Sequence, residues 1–243
     1  MTQLLPSPKH LLAALLATAA CNPAPPEPEQ GVLYRDGLED GEPNSGERGS
    51  IVITELMWSG SVDNNGNWDA EDVFIELSNN SARSVNVSGW QLQIEGTAVR
   101  TYLVPQSDLE IPVGGYLFLA AKSSGCFPEP DLILEGLRFS FGDPLRVTLK
   151  DKDERLMEPA GSRTARPFAG GYDQFVSRSM EKAELMFGAR GYQPKAWHYY
   201  TDTEVDVPNN DRIAENCRER TLASPGRPNS PDYSGSFSSG EAF

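Results

Sequence analysis

Residues 72–93 place the tightest constraint on the fold, because they contain two short alternating segments on either side of a polar turn at residues 79–84. Apolar side chains at every second position are typical of strands with one face in a core. The segment therefore predicts a half-buried β-hairpin anchored by Trp90, and it requires further strands to cover that anchor. The alternating apolar residues are Val73, Ile75 and Leu77 before the turn, and Val85, Val87, Trp90, Leu92 and Ile94 after it.

Further short strands follow the same pattern, whereas long helical periodicity is scarce. The 22 Gly and 19 Pro residues favour a loop-rich, all-β chain. Residues 51–58 are apolar on both faces, which predicts a strand covered on two sides. A single helical turn is expected at residues 181–187, and the aromatic segment 195–201 is expected to pack against the body. The other predicted strands are 98–104, 116–120, 132–141, 145–149, 156–157 and 174–180.

The first 20 residues predict a secretory signal. Lys9 and His10 precede an apolar run that is too short to span a membrane and that ends in small residues before Cys21. This pattern resembles a lipoprotein signal, in which Cys21 is lipidated and becomes the first mature residue. The alternative is cleavage after an Ala-x-Ala site, which leaves Cys21 as a thiol. Since Asn22 is not the Asp of an inner-membrane retention signal, we expect a secreted protein lipid-anchored to the outer membrane, on its periplasmic side or at the cell surface.

The cysteine count agrees with this interpretation. Three cysteines in a secreted chain leave one unpaired unless one has another use, and lipidation of Cys21 leaves Cys126 and Cys217 as a possible disulfide. Such a bridge would stabilise the fold by about 4 to 5 kcal/mol in the chain-entropy model. Two buried free thiols are the alternative.

Composition separates the ends of the chain from the body. Residues 21–50 are rich in Pro, Gly and acids, which predicts a disordered tether, and residues 230–243 predict a disordered Ser/Gly tail. The body is expected to span residues 51–229. The formal net charge of −14 would repel a phosphate backbone, so we expect no nucleic-acid partner.

Six sequence blocks in the body resemble one family in their order and spacing. The resemblance is to the lamin-tail domain of the bacterial secreted type. It covers residues 51–157 well, and beyond them only R-S-M-E-K and the closing block. The region after Pro159 departs from the family pattern. The blocks are I-T-E-L-M-W (53–58), F-I-E-L-S-N (74–79), V-N-V-S-G-W-Q-L (85–92), I-P-V-G-G-Y-L-F-L (111–119), G-D-P-L-R-V-T-L-K-D (142–151) and S-P-G-R-P-N (224–229).

This resemblance implies an immunoglobulin-like β-sandwich in which Trp90 is a core anchor and Gly89 permits the turn into its strand. Glu55 and Glu76 match recurring acids of the family. They are expected to be structural acids at strand edges, accepting hydrogen bonds from the backbone or from Arg. The alternative interpretation pairs them as a catalytic acid and base.

One loop of the body offers two possible binding features. Asp63, Asn65, Asn67 and Asp69 place oxygen ligands at alternate positions, a pattern compatible with calcium but not with an EF-hand; an Asn-Gly turn is the alternative. Trp58 and Trp68 flank the loop and could form an aromatic platform for a ligand, or pack in the core.

The sequence contains no zinc-binding spacing and no nucleophile elbow, and His198 is the only histidine after the signal. His198 is expected to be part of an aromatic cluster with its neighbours Trp197 and Tyr199. We therefore expect no catalytic residues, no cofactor other than possible calcium, and a membrane-tethered, non-enzymatic module. Its loops would bind an envelope protein or polysaccharide. The alternatives are a secreted hydrolase of nuclease or phosphatase type that uses the carboxylate pair, and a calcium-stabilised structural module.

Overall fold

A computed structural model describes residues 48–105, 108–183, 190–201 and 210–232. The predicted signal, the lipidation site Cys21 and the tether up to residue 47 lie outside the described residues, as does the predicted tail beyond Asp232. The strands in chain order are β1 (Ile51–Met57), β2 (Ser61–Val62), β3 (Trp68–Asp69), β4 (Phe74–Asn79), β5 (Val85–Asn86), β6 (Gln91–Glu95), β7 (Val99–Leu103), β8 (Glu110–Ile111), β9 (Tyr116–Ala120), β10 (Leu132–Ile133), β11 (Arg146–Lys150), β12 (Leu156–Gly161), β13 (Gly171–Tyr172), β14 (Ser177–Arg178), β15 (Met180–Lys182), β16 (Trp197–Tyr199) and β17 (Thr221–Leu222).

Two sheets form the body. A six-stranded sheet has the order β10-β9-β4-β1-β15-β16, and a four-stranded sheet has the order β12-β11-β6-β7. Their inner faces share one apolar core, to which both sheets contribute alternate residues such as Ile75 and Leu119 from the first and Leu92 and Val147 from the second. The described residues thus form the predicted all-β sandwich. Smaller sheets, β13-β14-β17, β2-β3 and β5-β8, lie beside it.

The predicted hairpin at residues 72–93 is wrong, although both of its strands exist. β4 pairs with β1 and β9 in the larger sheet, whereas β6 pairs with β7 and β11 in the smaller one. Between β4 and β6 the chain passes from one sheet to the other. Within this crossing lies β5, which pairs with β8. Each strand still turns its alternating apolar residues to the same core, but from opposite sides. Alternation alone cannot distinguish these arrangements.

The crossing ends at Gly89 and Trp90. Gly89 has a φ of +76°, which a residue with a Cβ rarely adopts, and its N–H donates to the Val104 carbonyl at 3.0 Å. This turn leads directly into Trp90, which is fully buried and lies in the core between the two sheets. Gly89 thus permits the turn into β6, and Trp90 anchors the core.

A second, smaller core lies on the outer face of the six-stranded sheet. Phe74, Phe118 and Phe127 pack edge to face, with centroid distances of 4.9–6.3 Å. Ile213 from the C-terminal part of the chain and the Cys126–Cys217 disulfide complete this core. The predicted disulfide is confirmed, and it joins residues 91 positions apart.

The remaining local predictions have mixed outcomes. Residues 116–120 form β9 as predicted, and 145–149 match β11 within one residue. The helical turn predicted at 181–187 is wrong at its start, because Glu181 and Lys182 belong to β15; residues 184–189 lie outside the described residues. Short 3-10 turns occur at Pro194–Ala196 and Glu215–Cys217. Among the described residues, the helical segments are too short to cross a membrane.

Candidate binding surface and buried carboxylate cluster

Three carboxylates lie side by side on the outer face of the six-stranded sheet. Glu55 on β1 is the register partner of both Glu76 on β4 and Glu181 on β15. All three are fully buried. A bulge in β1 between Ile53 and Glu55 places the Glu55 side chain on this outer face, whereas Ile53 and Leu56 face the core. We call this group the carboxylate cluster.

Residues 224–230, which we call the closing segment, cover the carboxylate cluster. The backbone N–H of Ser224 donates to Glu55 at 2.8 Å, and that of Gly226 donates to Glu76. Both the N–H and the hydroxyl of Ser230 donate to Glu181. The closing segment thus satisfies carboxyl oxygens that would otherwise be buried without partners.

Asn229 fixes the closing segment to the sheet itself. Its side-chain amide donates to the Thr54 carbonyl at 2.9 Å and to the Lys182 carbonyl at 2.8 Å. One side chain therefore bridges β1 and β15 beside the carboxylate cluster. The predicted tail boundary at Ser230 is corrected accordingly: Ser230 binds Glu181 and Thr201, so it belongs to the folded body.

Burial holds all three carboxyl groups in their protonated forms over an unusual pH range. Desolvation raises the pKa of Glu76 to about 8 from an ordinary value of 4.5. Desolvation, followed by the negative charges of Glu181 and Glu76, raises the pKa of Glu55 well above its usual range, and desolvation also raises the pKa of Glu181. Hydrogen bonds from the closing segment oppose this effect in each case.

The carboxylate cluster differs from the sequence prediction in two ways. Glu55 and Glu76 lie on interior strands rather than at strand edges. Of the two kinds of partner expected, backbone N–H groups do donate to them, and the hydroxyls of Thr54 and Ser224 take the place of Arg. The third member, Glu181, was missed as a site residue. The signal available in the sequence was the block R-S-M-E-K (178–182), which contains this third acid.

His198 lies next to this group rather than in an aromatic cluster, so that prediction is wrong. It pairs with Glu181 in the β15–β16 register, and its Nδ1 is 3.9 Å from the Glu181 carboxylate. Its Nδ1 is also 2.9 Å from the Tyr199 carbonyl, and the ring is almost fully buried. Trp197 faces the opposite side of the sheet, in the main core.

Both aspartates of the loop at residues 63–69 have their carboxylates engaged by the protein. Asp63 accepts hydrogen bonds from the N–H groups of Asn65 and Asn67 and from the Asn67 amide, at 2.8–2.9 Å. Asp69 accepts the N–H of Glu71 and forms a 2.5 Å ion pair with Lys122. In the part of the chain that the structure describes, no three Asp, Glu, His or Cys side chains are arranged to hold a metal ion.

Trp58 and Trp68 are part of one continuous row of rings. Tyr172 stacks on Trp68 at 5.0 Å and 11°, and Phe141 lies edge-on to Trp68 at 5.9 Å. Phe141 also contacts Trp58 at 5.7 Å. These four residues form what we call the aromatic row. The sequence analysis missed Phe141, which lies in a loop 73 residues beyond Trp68, and Tyr172, which lies on β13, 104 residues beyond Trp68.

The aromatic row is both exposed and rigidly held. Trp68 is 42% exposed and Phe141 is 56% exposed, although rings of this size are usually buried. The indole N–H of Trp68 donates to the Ser59 carbonyl at 2.8 Å, and that of Trp58 donates to Ala169 at 2.9 Å. The rings are thus oriented before any ligand arrives.

Neither a protein-family model nor a curated protein sequence matches the chain. The functional argument therefore rests on geometry. The described residues offer two candidate sites of opposite character: acidic groups sealed beneath the closing segment, and aromatic rings held open to solvent.

Proposed function

We propose that this chain is a non-enzymatic binding module of the lamin-tail type, tethered to the outer membrane through Cys21. The aromatic row carries the proposal. Large rings held by hydrogen bonds but left exposed are typical of a surface that binds another molecule. The bound molecule would be an envelope protein or polysaccharide, presented with the loops of a stable sandwich.

The position of the carboxylate cluster supports a non-enzymatic role. A catalytic acid and base must come within hydrogen-bond reach of a substrate. Glu55 and Glu76 have no exposed surface, and hydrogen bonds from the closing segment and from Thr54 occupy their oxygens. Hydrolysis of DNA or of a phosphate ester by the purified protein, lost in Glu55→Gln, would contradict the proposal.

Convergence of the matched blocks supports the lamin-tail assignment. Four of the blocks that carry the resemblance meet at the carboxylate cluster: 53–58 supplies Glu55, 74–79 supplies Glu76, 178–182 supplies Glu181, and 224–229 covers all three. Segments separated by as many as 175 residues, from Thr54 to Asn229, thus form one structural unit.

Use of the other two cysteines supports the lipid anchor. Cys126 and Cys217 are joined, so Cys21 is the remaining cysteine of the three in the sequence. A labelled palmitate supplied to cells should mark the wild-type protein and leave Cys21→Ser unmarked. Equal labelling of both proteins would remove the anchor from the proposal.

Binding through the aromatic row is tested with the purified protein and intact envelopes from the same organism. We expect the wild-type protein to sediment with the envelopes and Trp68→Ala to lose most of this binding. Tyr192→Ala is the matched control, because Tyr192 is similarly exposed, at 46%, but lies outside the aromatic row. Equal binding by all three proteins would show that the aromatic row is not the binding surface.

A further inference from the structure

A cleft of about 660 Å³ adjoins the aromatic row at Tyr172. Its volume falls within the range of about 300–1,000 Å³ that is typical of small-ligand sites. β13 and β14 form one wall, and the end of β16 forms the other. Its side-chain lining is Tyr172, Asp173, Val176, Arg178, Tyr199 and Thr201.

Glycines give this wall its shape. Gly170 has a φ of +72°, and a Cβ there would lie 2.7 Å from the Arg178 carbonyl oxygen. A Cβ on Gly171 would meet the Trp58 ring at 3.3 Å. The absence of side chains lets β13 lie against both β14 and the aromatic row, which brings Tyr172 to the border of the cleft.

Two aromatic rings border the cleft from opposite walls. Trp68 covers one face of Tyr172, so the opposite face is the one left for a ligand. Tyr199 is 45% exposed, and its hydroxyl forms no hydrogen bond with the described residues. Aromatic faces carry partial negative charge and attract the weakly positive C–H groups of a ligand.

Two charged side chains line the cleft: Asp173, a hydrogen-bond acceptor, and Arg178, a hydrogen-bond donor. Oδ1 of Asp173 accepts the N–H groups of Phe175 and Val176, which fixes the carboxylate and leaves Oδ2 without a protein donor among the described residues. Arg178 donates through Nη1 to the Tyr200 carbonyl at 3.0 Å, which holds the guanidinium and leaves its other N–H groups for a ligand. The backbone bonds from Val176 and Phe175 also lower the pKa of Asp173, so the carboxylate is charged at neutral pH.

We infer that this cleft binds a neutral pyranose unit of a polysaccharide, an inference that rests on the proposed binding function. A pyranose has C–H groups on its faces and hydroxyls around its rim. The ring faces of Tyr172 and Tyr199 are suited to contact the C–H groups. The Asp173 carboxylate and the Arg178 guanidinium are suited to bind the hydroxyls. The net charge of −14 disfavours an anionic ligand. The opposite charges of Asp173 and Arg178 give the cleft no preference of its own for either sign, and together they offer an acceptor and a donor to the hydroxyls of a neutral sugar.

The continuity of the cleft with the aromatic row indicates a polymer rather than a single sugar. A chain that places one unit in the cleft could continue over Trp68 and Phe141, both of which are exposed. These two rings lie 5.9 Å apart.

The test treats envelopes from the same organism in two ways before sedimentation with the purified full chain. Protease digestion removes envelope proteins and leaves glycans, whereas periodate oxidation destroys vicinal diols of glycans and leaves the polypeptide backbone. We expect binding to survive protease and to be lost after periodate. Tyr199→Ala should weaken it at least tenfold, whereas Tyr192→Ala should not change it.

The outcomes separate this inference from the proposed function. Binding that is lost after protease and survives periodate would overturn the polysaccharide inference and leave the binding module in place. No binding to untreated envelopes would overturn both. Unchanged binding by Tyr199→Ala, with the variant's far-UV circular dichroism and melting temperature equal to wild type, would overturn the assignment of the cleft.

Direct titration with neutral hexasaccharides of glucose, mannose, xylose and N-acetylglucosamine identifies the sugar. We expect one of them to change the tryptophan fluorescence of the wild-type protein, because Trp68 stacks on Tyr172 at the border of the cleft. That change should be absent in Tyr172→Ala. A change that persists in Tyr172→Ala and Tyr199→Ala would place the sugar elsewhere and overturn the inference.

Discussion

Ser224 joins Glu55 to Glu181: its hydroxyl lies within hydrogen-bond distance of both carboxyl groups, 3.3 Å from the former, and its backbone N–H donates to Glu55 at 2.8 Å. A hydroxyl carries one hydrogen, so Ser224 can donate only one of these two side-chain bonds. The other contact can be a hydrogen bond only if a carboxyl group donates it. The geometry thus agrees with what burial favours, a proton held within the carboxylate cluster.

Stability should fall as the pH rises. The pKa of Glu76 in the folded protein, about 8, exceeds its ordinary value of 4.5. Its contribution to stability is therefore fully present below pH 4.5 and is lost as the pH rises through 8. The raised pKa values of Glu55 and Glu181 change stability in the same direction. The other ionisable groups that face the carboxylate cluster are His198, beside Glu181, and Asp131, near Glu76. Urea unfolding at pH 5, 7 and 9 measures this loss.

The matched variant for this effect is Glu76→Gln. Its amide oxygen can accept the Gly226 N–H, and its NH₂ group can donate to Thr54, so the hydrogen bonds are preserved without a titratable group. We expect the free energy of unfolding of Glu76→Gln to vary less between pH 5 and 9 than that of the wild type. A wild-type protein that becomes more stable from pH 5 to 9 would contradict this assignment.

Ser224→Ala should destabilise the fold by about 1 to 3 kcal/mol. The substitution leaves buried carboxyl oxygens without a partner, and this desolvation cost exceeds the value of an ordinary hydrogen bond. Ser124→Ala is the control, because Ser124 is exposed. Denaturant unfolding at pH 7 compares them, and an equal midpoint for both variants would remove Ser224 from the carboxylate cluster's support.

Reduction of the disulfide should cost up to about 4 to 5 kcal/mol in the chain-entropy model. Cys126 and Cys217 are 91 positions apart, and their bond joins parts of the second core. The double variant Cys126→Ser/Cys217→Ser should unfold at lower urea than the wild type and should no longer respond to dithiothreitol. Cys21→Ser should respond like the wild type; a reductant-independent wild-type midpoint would contradict the prediction.

Millimolar calcium should leave the melting temperature unchanged. The carboxylate of Asp63 already accepts three hydrogen bonds from Asn65 and Asn67, and Asp69 is paired with Lys122. Binding calcium would require these contacts to break. Scanning calorimetry with calcium and with EDTA makes the comparison, and a calcium-dependent rise that Asp63→Ala abolishes would restore the calcium-stabilised module.

Substitution of Trp90 should mainly lower stability, whereas substitution of Trp68 should mainly lower binding. Trp90→Ala removes a fully buried ring and should cost about 3 to 5 kcal/mol of stability. Trp68→Ala removes a ring that is 42% exposed, so it should cost much less while reducing binding to envelopes. Denaturation midpoints and sedimentation together measure both effects; a similar stability loss in the two variants would assign Trp68 a structural role.

The apolar pattern along the chain was sufficient to predict β1, β9 and β11, because each strand places apolar residues in the common core. It did not determine the partner of a strand. β4 and β6 have the same pattern, and the crossing between opposite sheets depends on how the core closes around Trp90. Register and sheet membership are properties of the assembled sandwich rather than of one segment.

The sites were harder to predict because their members are distant in sequence. Cys126 and Cys217 could be paired because only three cysteines were available. The number of possible partners was not limited in this way for Glu181 and Tyr172. Their roles depend on contacts with Glu55 and Trp68, which lie on other strands. Local patterns contain little information about such contacts.

The position of the closing segment also sets an order on folding. Ser224 reaches Glu55 across 169 residues of chain, and Gly226 reaches Glu76 across 150. A chain that is synthesised from its N-terminus therefore presents β1 and β4 long before their cover is available. During that interval the acidic side chains face water and can ionise, so that closing the sheet over them favours the uptake of protons. The last step of folding is thereby coupled to the pH of the surroundings.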